Sequence, residues 1–167
     1  MFRPMRRSRQ ELSRQDCDAI LYSCTSGVLA LTGDGGWPYA VPLSYVYDGE
    51  KIFFHCATSG HKLDAVRSEP RCSFCVVAQD EVSPEEYTTR FKSVIAFGRL
   101  RVLEEDAQKR AAIEKLAVRY APMESYESQN SEIERFWPAL CMLELSIEHV
   151  SGKQAKELIP RQENGAV

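Results

Sequence analysis

The strongest constraint on the fold is a series of alternating segments that glycine-rich turns separate. Residues 39–47 alternate with a period of two and are rich in tyrosine and valine, which is typical of a β-strand. Gly33-Asp34-Gly35-Gly36 precedes this segment and Asp48-Gly49 follows it, and glycines supply the positive φ of a tight hairpin turn. Pro42 cannot donate to a ladder of hydrogen bonds, so it predicts an edge strand or a bulge.

The same kind of pattern recurs along the chain. With residues 39–47 it predicts six strands, the others covering residues 28–31, 52–56, 72–78, 93–103 and 140–150. Gly98 predicts a bend or bulge within its strand. Three peripheral helices are predicted, over residues 14–25 behind a Ser13 and Asp16 capping box, after Ser59-Gly60 up to Pro70, and over residues 106–120. Residues 80–87 and 122–136 are predicted to be polar loops.

Consecutive antiparallel strands with few crossover helices predict a mainly β domain with peripheral α-helices, closed or partly closed into a barrel. No βαβ alternation is present, which argues against a doubly wound nucleotide-binding fold. The 167 residues fit a single domain over residues 1–167, with a basic arm over residues 1–12 and a tail over residues 154–167.

Composition excludes several classes of function. A formal net charge of −3 argues against nucleic-acid binding by bulk electrostatics. Apolar runs are too short to span a bilayer, and no apolar segment near the start resembles a secretion signal, so a cytoplasmic protein without membrane contact is expected. The six cysteines are then expected to be reduced thiols.

Several motifs that could carry chemistry favour a structural interpretation. Cys72 and Cys75 lie three apart within a predicted strand and face opposite sides, so they are interpreted as packing residues rather than a zinc or redox pair. His55 and Cys56 are adjacent on a strand, which prevents direct pairing, and no G-x-S-x-G sequence is present. With only three histidines, no metal site is predicted.

The segment over residues 54–62 is the best candidate for ligand binding. If Ser59 caps the following helix, His61 and Lys62 lie in its first turn, where cations oppose the helix dipole. A bound anion would reverse that penalty, and phosphate is the natural candidate, with hydroxyl groups from Thr58 and Ser59. A surface loop that happens to carry these residues explains the spacing equally well.

Three segments in this order resemble FMN-binding split-barrel flavoproteins related to pyridoxamine 5'-phosphate oxidase. They are YAVPLSY over residues 39–45, FHCATSGHK over residues 54–62 and SVIAFG over residues 93–98. Within that superfamily the chain is most similar to the nitroimidazole-resistance (Nim-type) branch, and residues 5–10 and 147–153 also fit.

The resemblance implies a six-stranded antiparallel split β-barrel that forms a homodimer with FMN between the subunits. It implies that the flavin edge runs along the backbone of the strand over residues 41–45. It also implies that His55 and Ala57 line the path of the ribityl chain and phosphate, and that His61 and Lys62 hold the phosphate. Ser93 would meet the flavin or the second subunit. The implied cofactor-binding residues are Val41, Pro42, Leu43, Ser44, Tyr45, His55, Ala57, Gly60, His61, Lys62 and Ser93.

The resemblance also implies a reaction: a hydride passes from NADH or NADPH to FMN, and electrons then pass to a small acceptor such as a nitroimidazole. No catalytic residue is assigned, although Lys92 and Arg71 are candidate cations beside the flavin, and Trp137 either covers the flavin or packs in the fold. Two alternatives stay open: a flavin-binding carrier or sensor without turnover, and a split barrel that binds haem through His55 or His61.

The chain departs from the oxidase branch in one respect that bears on the substrate. Residues 42–45 are Pro-Leu-Ser-Tyr, where that branch has a basic flavin strand, and its pyridoxal-phosphate-binding arginine and histidine near the C-terminus are missing. Oxidation of pyridoxamine phosphate is therefore not expected.

Overall fold

A computed structural model describes residues 2–159, which form one antiparallel sheet with helices packed against it. The strands are β1 Ser26–Thr32, β2 Pro38–Ser44, β3 Val46–Tyr47, β4 Lys51–Ala57, β5 Arg71–Ser83, β6 Thr88–Val102 and β7 Leu140–Gln154. The α-helices of this part of the chain are α1 Arg14–Ser23, α2 His61–Ser68, α3 Asp106–Tyr120 and α4 Tyr126–Phe136. The prediction of a mainly β fold with peripheral helices is confirmed. Of the predicted tail, residues 160–167 lie outside the described residues.

The sheet has seven strands rather than the predicted six, because residues 39–47 form two strands. Its order is β2-β1-β5-β6-β7-β4-β3, so β2 and β3 lie at opposite edges, and the ladder of hydrogen bonds is not closed between them. Only Tyr45 separates the two strands in sequence, and one intervening residue spans roughly 7 Å at most. The two edges must therefore lie side by side, which curls the sheet into a barrel with a split.

Tyr45 leaves the ladder because its peptide groups have another partner. Its N–H donates to the hydroxyl of Tyr120 at 3.0 Å, and that hydroxyl faces the carbonyl oxygens of Tyr45, at 2.9 Å, and Thr25. The Tyr45 hydroxyl donates to the Leu21 carbonyl at 2.8 Å. The last residue of α3 thus supplies the hydrogen bonds that a neighbouring strand would otherwise make.

Apolar side chains form two clusters on opposite faces of the sheet. The barrel interior is filled by fully buried residues and by the apolar sides of α1 and α2; its members include Leu21, Leu29, Phe54, Leu63, Phe74, Val76, Val94 and Leu143. The second cluster forms where α3 covers the outer face of β3, β4 and β7; it includes Val46, Phe53, Ala112, Leu116, Leu140 and Met142. Among the helices of residues 2–159, none packs comparably on the outer face of the remaining strands.

The predicted bulge at Gly98 is confirmed by the pairing of β6 with β7. Phe97 pairs with His149 but Gly98 pairs with Ile147, so one extra residue is accommodated on β7. At Gly98 a Cβ atom would lie 2.0 Å from the carbonyl oxygen of Ser146, which no side chain tolerates. Backbone contact therefore requires glycine at this position.

Two predicted loops are wrong in part, because residues 80–83 and 126–136 belong to regular elements. β5 and β6 continue as a two-stranded ribbon through residues 79–92, because their backbones pair even though the side chains there are charged on both faces. Residues 126–136 form α4, which begins behind Ser125, whose side chain accepts the Ser128 N–H at 3.2 Å. Predicted α1 ends earlier, at Ser23, but its Ser13 cap accepts the Asp16 N–H as expected.

No helix among residues 2–159 is both long enough and apolar enough to cross a membrane.

Removing the hydroxyl of Tyr120 is expected to destabilise the barrel. Tyr120→Phe leaves the Tyr45 carbonyl without this donor and the Tyr45 N–H with only the Thr25 carbonyl, at 3.4 Å, which costs about 1–3 kcal/mol of unfolding free energy. Urea denaturation followed by circular dichroism measures the change. Tyr126→Phe is the matched control, since the Tyr126 side chain is 66% exposed. An equal effect of the two substitutions would contradict the role of Tyr120 at the split.

Candidate functional site

A cavity of about 970 Å³ lies between the outer face of β4 and the α3–α4 pair. Its β4 side carries His55 and Ala57, and Ser44 lies at the end of β2, so three predicted site residues share it. The helical side is largely apolar, with Ile113, Leu116, Ala117, Tyr120, Ile133, Phe136 and Leu140. Its volume falls within the usual range of small-molecule sites.

His55 is held on the cavity side of β4, where it pairs with Met142 of β7. The ring is partly open to solvent, but neighbouring protein atoms remove part of its hydration. This desolvation, together with the positive charge of Lys62, lowers the pKa of His55 below its ordinary value of 6.5. His55 is therefore neutral at neutral pH, and the charge of Lys62 is within electrostatic range of it.

Helix α2 begins behind Gly60 rather than the predicted Ser59. Gly60 has φ 122°, a conformation that glycine adopts most readily, and no side chain caps the helix. The N–H groups of Leu63 and Asp64 donate to the Gly60 carbonyl at 2.9 and 3.3 Å. The N–H groups of His61 and Lys62 have no acceptor within residues 2–159, which leaves the positive end of the helix open to an anion.

The imidazole of His61 faces the β1–β2 turn instead of the cavity. It stacks on Tyr39 with ring centroids 4.1 Å apart, and its Nε2 accepts the Asp34 N–H at 3.4 Å. The Asp34 carboxylate lies 3.8 Å from the same nitrogen. The structure therefore brings Lys62 and His55 together and leaves the His61 side chain with another set of partners.

The residues predicted to line the flavin, 41–45, do not all face the same side of the sheet. Val41 and Leu43 pack against the barrel interior and Tyr45 is buried, whereas Pro42 and Ser44 are exposed on the outer face. β2 is an edge strand, as Pro42 predicted, and an edge strand presents unpaired backbone N–H and carbonyl groups. A ligand that lies along this edge can meet polar backbone groups without disrupting the sheet.

Four other candidates lie away from the cavity. Ser93 and Lys92 are half-buried on β6, where Ser93 pairs with Val77 and Lys153. Arg71 forms a two-pronged contact with Glu69, at 2.9 and 2.6 Å. The Trp137 ring receives the ammonium group of Lys109 at 4.1 Å from its centroid, so it has a packing role within the chain.

The cysteines of Cys72-x-x-Cys75 fit the packing interpretation. Burial raises the pKa of Cys72 to about 12 and also raises that of Cys75, so neither is a reactive thiolate at neutral pH. Within residues 2–159 no three histidine, cysteine, aspartate or glutamate side chains are grouped as a metal site would require.

The sequence interpretation missed the helical wall of the cavity. Ile133 and Phe136 of α4 line it, and Tyr120 lines it from α3. Ser125 as a helix cap and the spacing of three between Ile133 and Phe136 were available signals. They were outweighed by the polar composition of residues 122–136.

His55 should make the protein less stable in mild acid. Because its folded pKa is lowered, the unfolded chain binds more protons once the pH falls below about 6.5, and stability is lost as the pH falls through the folded pKa. His55→Gln should remove this part of the loss between pH 8 and pH 5, measured by thermal unfolding. The difference in unfolding temperature between wild type and His55→Gln at pH 8 corrects for effects of the substitution that are unrelated to protonation. Parallel pH profiles for the two proteins would contradict the expectation.

Comparisons with known proteins agree with the observed fold. The sequence profile of a family described as pyridoxamine 5'-phosphate oxidase matches residues 13–154. No curated protein matches the chain at a significant level.

Among solved structures, a candidate 5-nitroimidazole antibiotic resistance protein from Bacteroides thetaiotaomicron is 16% identical over 86% of each chain, with a TM-score of 0.74. A conserved hypothetical protein from Mycobacterium tuberculosis is 19% identical over 98% of each chain, with a TM-score of 0.77. An FAD and heme binding protein from Mycobacterium smegmatis is 25% identical over 89% of this chain and 74% of its own length, with a TM-score of 0.72.

Proposed function

This chain belongs to the pyridoxamine 5'-phosphate oxidase-like family, and we propose that it is an FMN-binding oxidoreductase. In this proposal a reduced nicotinamide is the electron donor and a small molecule such as a nitroimidazole is the acceptor. The observation that carries it is the juxtaposition of Lys62, His55 and the open N-terminus of α2 beside a largely apolar cavity. Bound FMN would supply the two-electron chemistry, and the protein would position it.

The phosphate group of FMN fits the N-terminus of α2. The free N–H groups of His61 and Lys62 would donate to it, and the Lys62 ammonium would add a charge-assisted contact. A dianion there would favour protonation of His55, whose pKa is lowered in the free protein. His61 would contribute mainly through its backbone, because its ring already stacks on Tyr39.

The ring system of FMN fits the opening between β2 and the helical wall. Pro42 and Ser44 present the outer face of the edge strand, and the apolar residues of α3 and α4 would exclude water on the other side. Because no charged side chain of β2 faces this edge, the protein would recognise the flavin ring by backbone groups and shape.

We also propose that a second copy of the chain covers the bare outer face of the sheet. The outward positions of β2, of β1, of β5 between Ser73 and Val77 and of the middle of β6 carry no charge, and Val28 and Val77 are 40% and 58% exposed. The set comprises Pro38, Ala40, Pro42, Ser44, Ser26, Val28, Ala30, Ser73, Cys75, Val77, Ser93 and Ile95, and it ends at Phe97, against which the Phe2 ring of the same chain packs. An uncharged face of this extent is typical of a subunit interface. Ser93 would then approach the site only in the dimer.

The similar proteins support flavin chemistry and supply one competing ligand. The Bacteroides protein is described by nitroimidazole resistance, and the Mycobacterium smegmatis protein by binding both FAD and heme. The absorbance spectrum of purified protein separates these ligands, since a bound flavin gives the flavin bands and haem gives a Soret band.

Lys62→Ala should weaken FMN binding at least tenfold, because it removes the charge that contacts the phosphate. The protein is freed of cofactor, and FMN binding is measured by quenching of flavin fluorescence. NADH or NADPH consumption with a nitroimidazole is then followed at increasing FMN. The variant should need at least tenfold more FMN for half-maximal rate and reach a similar rate at saturation.

Riboflavin, which lacks the phosphate, is the matched ligand: its affinity should be equal in wild type and Lys62→Ala. Unchanged FMN affinity in the variant would refute the phosphate assignment. Tight FMN binding without nicotinamide consumption would favour a carrier or sensor, and a Soret band without flavin would favour a haem protein.

Val77→Asp should dissociate the proposed dimer, because it places a charge in the centre of an apolar interface. Sedimentation equilibrium should show at least a tenfold weaker dimer. Val118→Asp is the control, since Val118 is similarly exposed, at 60%, but lies on α3. A wild-type protein that is monomeric at micromolar concentration would contradict the proposed interface.

A further inference from the structure

Helix α4 closes one side of the cavity without joining the packed core. Among residues 126–136, Ile133 is the only buried side chain, and it belongs to neither of the two apolar clusters. Phe136 also lines the cavity and is otherwise exposed. The apolar side of α4 thus borders about 970 Å³ of open space rather than the side chains of the sheet. Little apolar area would leave the packed core if this helix moved away.

Arg110 of α3 makes the polar contacts that hold α4 against its neighbour. Its guanidinium group donates to the side chains of Asn130 and Glu134 on α4, and to Glu114 of its own helix at 2.7 Å. The Arg110 side chain is 24% exposed, and both glutamates are more exposed than that. Water therefore competes for these contacts, which limits the free energy that they contribute.

The two ends of α4 are attached in different ways. At the C-terminal end, the ammonium group of Lys109 donates to the Trp137 carbonyl at 3.2 Å, and Trp137 packs against the second apolar cluster. At the N-terminal end, the amide of Gln129 donates to the Ala121 carbonyl at 2.8 Å. Ala121 belongs to the segment over residues 121–125 that joins the two helices, so this second contact is local. The C-terminal end is therefore the better fixed of the two.

We propose that α4 is a lid over the cavity and that Arg110 is the residue that holds it closed. The lid opens when the contacts of Arg110 with Asn130 and Glu134 break, and the helix then turns about its fixed end at Trp137. Elements that open over binding sites have few buried contacts and low local stability, as α4 does. When the lid closes, the apolar residues of α4 cover the ligand and exclude water from it.

The opening of α4 is independent of the ligand, whereas the passage of flavin beneath it rests on the proposed function. The two statements have separate readouts. Amide hydrogen exchange of the cofactor-free protein reports the opening, because backbone N–H groups exchange only when their hydrogen bonds break. The rates of FMN binding and release report the passage of flavin.

Hydrogen exchange of the full-length, cofactor-free protein, followed by mass spectrometry, tests the lid. Peptides from residues 126–136 should exchange at least tenfold faster in Arg110→Met than in wild type, because methionine keeps an unbranched apolar chain but has no donor. Peptides from β5, β6 and β7 should exchange at the wild-type rate. Equal exchange of α4 in the two proteins, or a parallel increase in the strands, would overturn the proposal.

Arg135→Met is the matched control, because it removes an arginine whose contacts lie within α4 itself. Arg135 pairs with Glu132 at 3.2 Å, lies over the ring of Phe136, and is 70% exposed. The control should leave the exchange of α4 within threefold of wild type. If it accelerated exchange as much as Arg110→Met does, the specific role of Arg110 would be refuted.

FMN binding kinetics form the last arm. In stopped-flow fluorescence, Arg110→Met should bind and release FMN at least threefold faster than wild type, because opening precedes both steps. If the exchange of α4 rises but the FMN rates do not, the lid stands and the passage of flavin beneath it is refuted. If neither protein binds FMN, the proposed function fails, and hydrogen exchange alone decides whether α4 is a lid.

Discussion

The architecture depends on the single residue that joins the two edges of the sheet. A sheet whose first and last strands are consecutive in the chain, with only Tyr45 between them, cannot lie flat. Full closure would need backbone bonds between β2 and β3, yet the Tyr120 hydroxyl occupies the peptide groups of Tyr45 instead. The split therefore persists as a defined feature of the barrel, and the end of α3 is fixed to it.

This fixation links the fold to the candidate site. Because Tyr120 holds the split with its hydroxyl and lines the cavity with its ring, one residue sets both the position of the edge strand and one wall of the cavity. Arg119 strengthens the attachment by donating to the carbonyl oxygens of Ser23 and Cys24 at 2.9 and 3.2 Å. α4 is attached more loosely, since among its described residues only Ile133 is buried. The α3 side of the cavity is thus firmly held, whereas the α4 side is held mainly by polar contacts.

Local signals in the sequence were sufficient where the chain's conformation is decided locally. The Ser13 cap of α1, the full length of α3, the edge position of Pro42 and the bulge at Gly98 were all predicted, because each follows from the chemistry of a few neighbouring residues. The break at Tyr45 was not, since its cause is a hydroxyl 75 residues away. For the same reason the sequence placed the His61 ring with Lys62, although the distant Tyr39 and Asp34 draw it elsewhere. The sequence did indicate that Lys62 lies near His55, because the strand that carries His55 leads into the helix that carries Lys62.

The extra residue on β7 has a consequence for how this chain can vary. Before the bulge the inward side chains of β7 have odd numbers, as at Leu143 and Leu145, and beyond it they have even numbers, as at Val150 and Gly152. The inward-facing positions of β7 thus change from odd to even numbers at Glu148, the extra residue of the bulge. Substitutions within either half change one contact each, but an insertion or deletion of one residue between them would exchange inside and outside for the whole distal half. The number of residues in β7 around the bulge is therefore constrained more strictly than the identity of any exposed residue there.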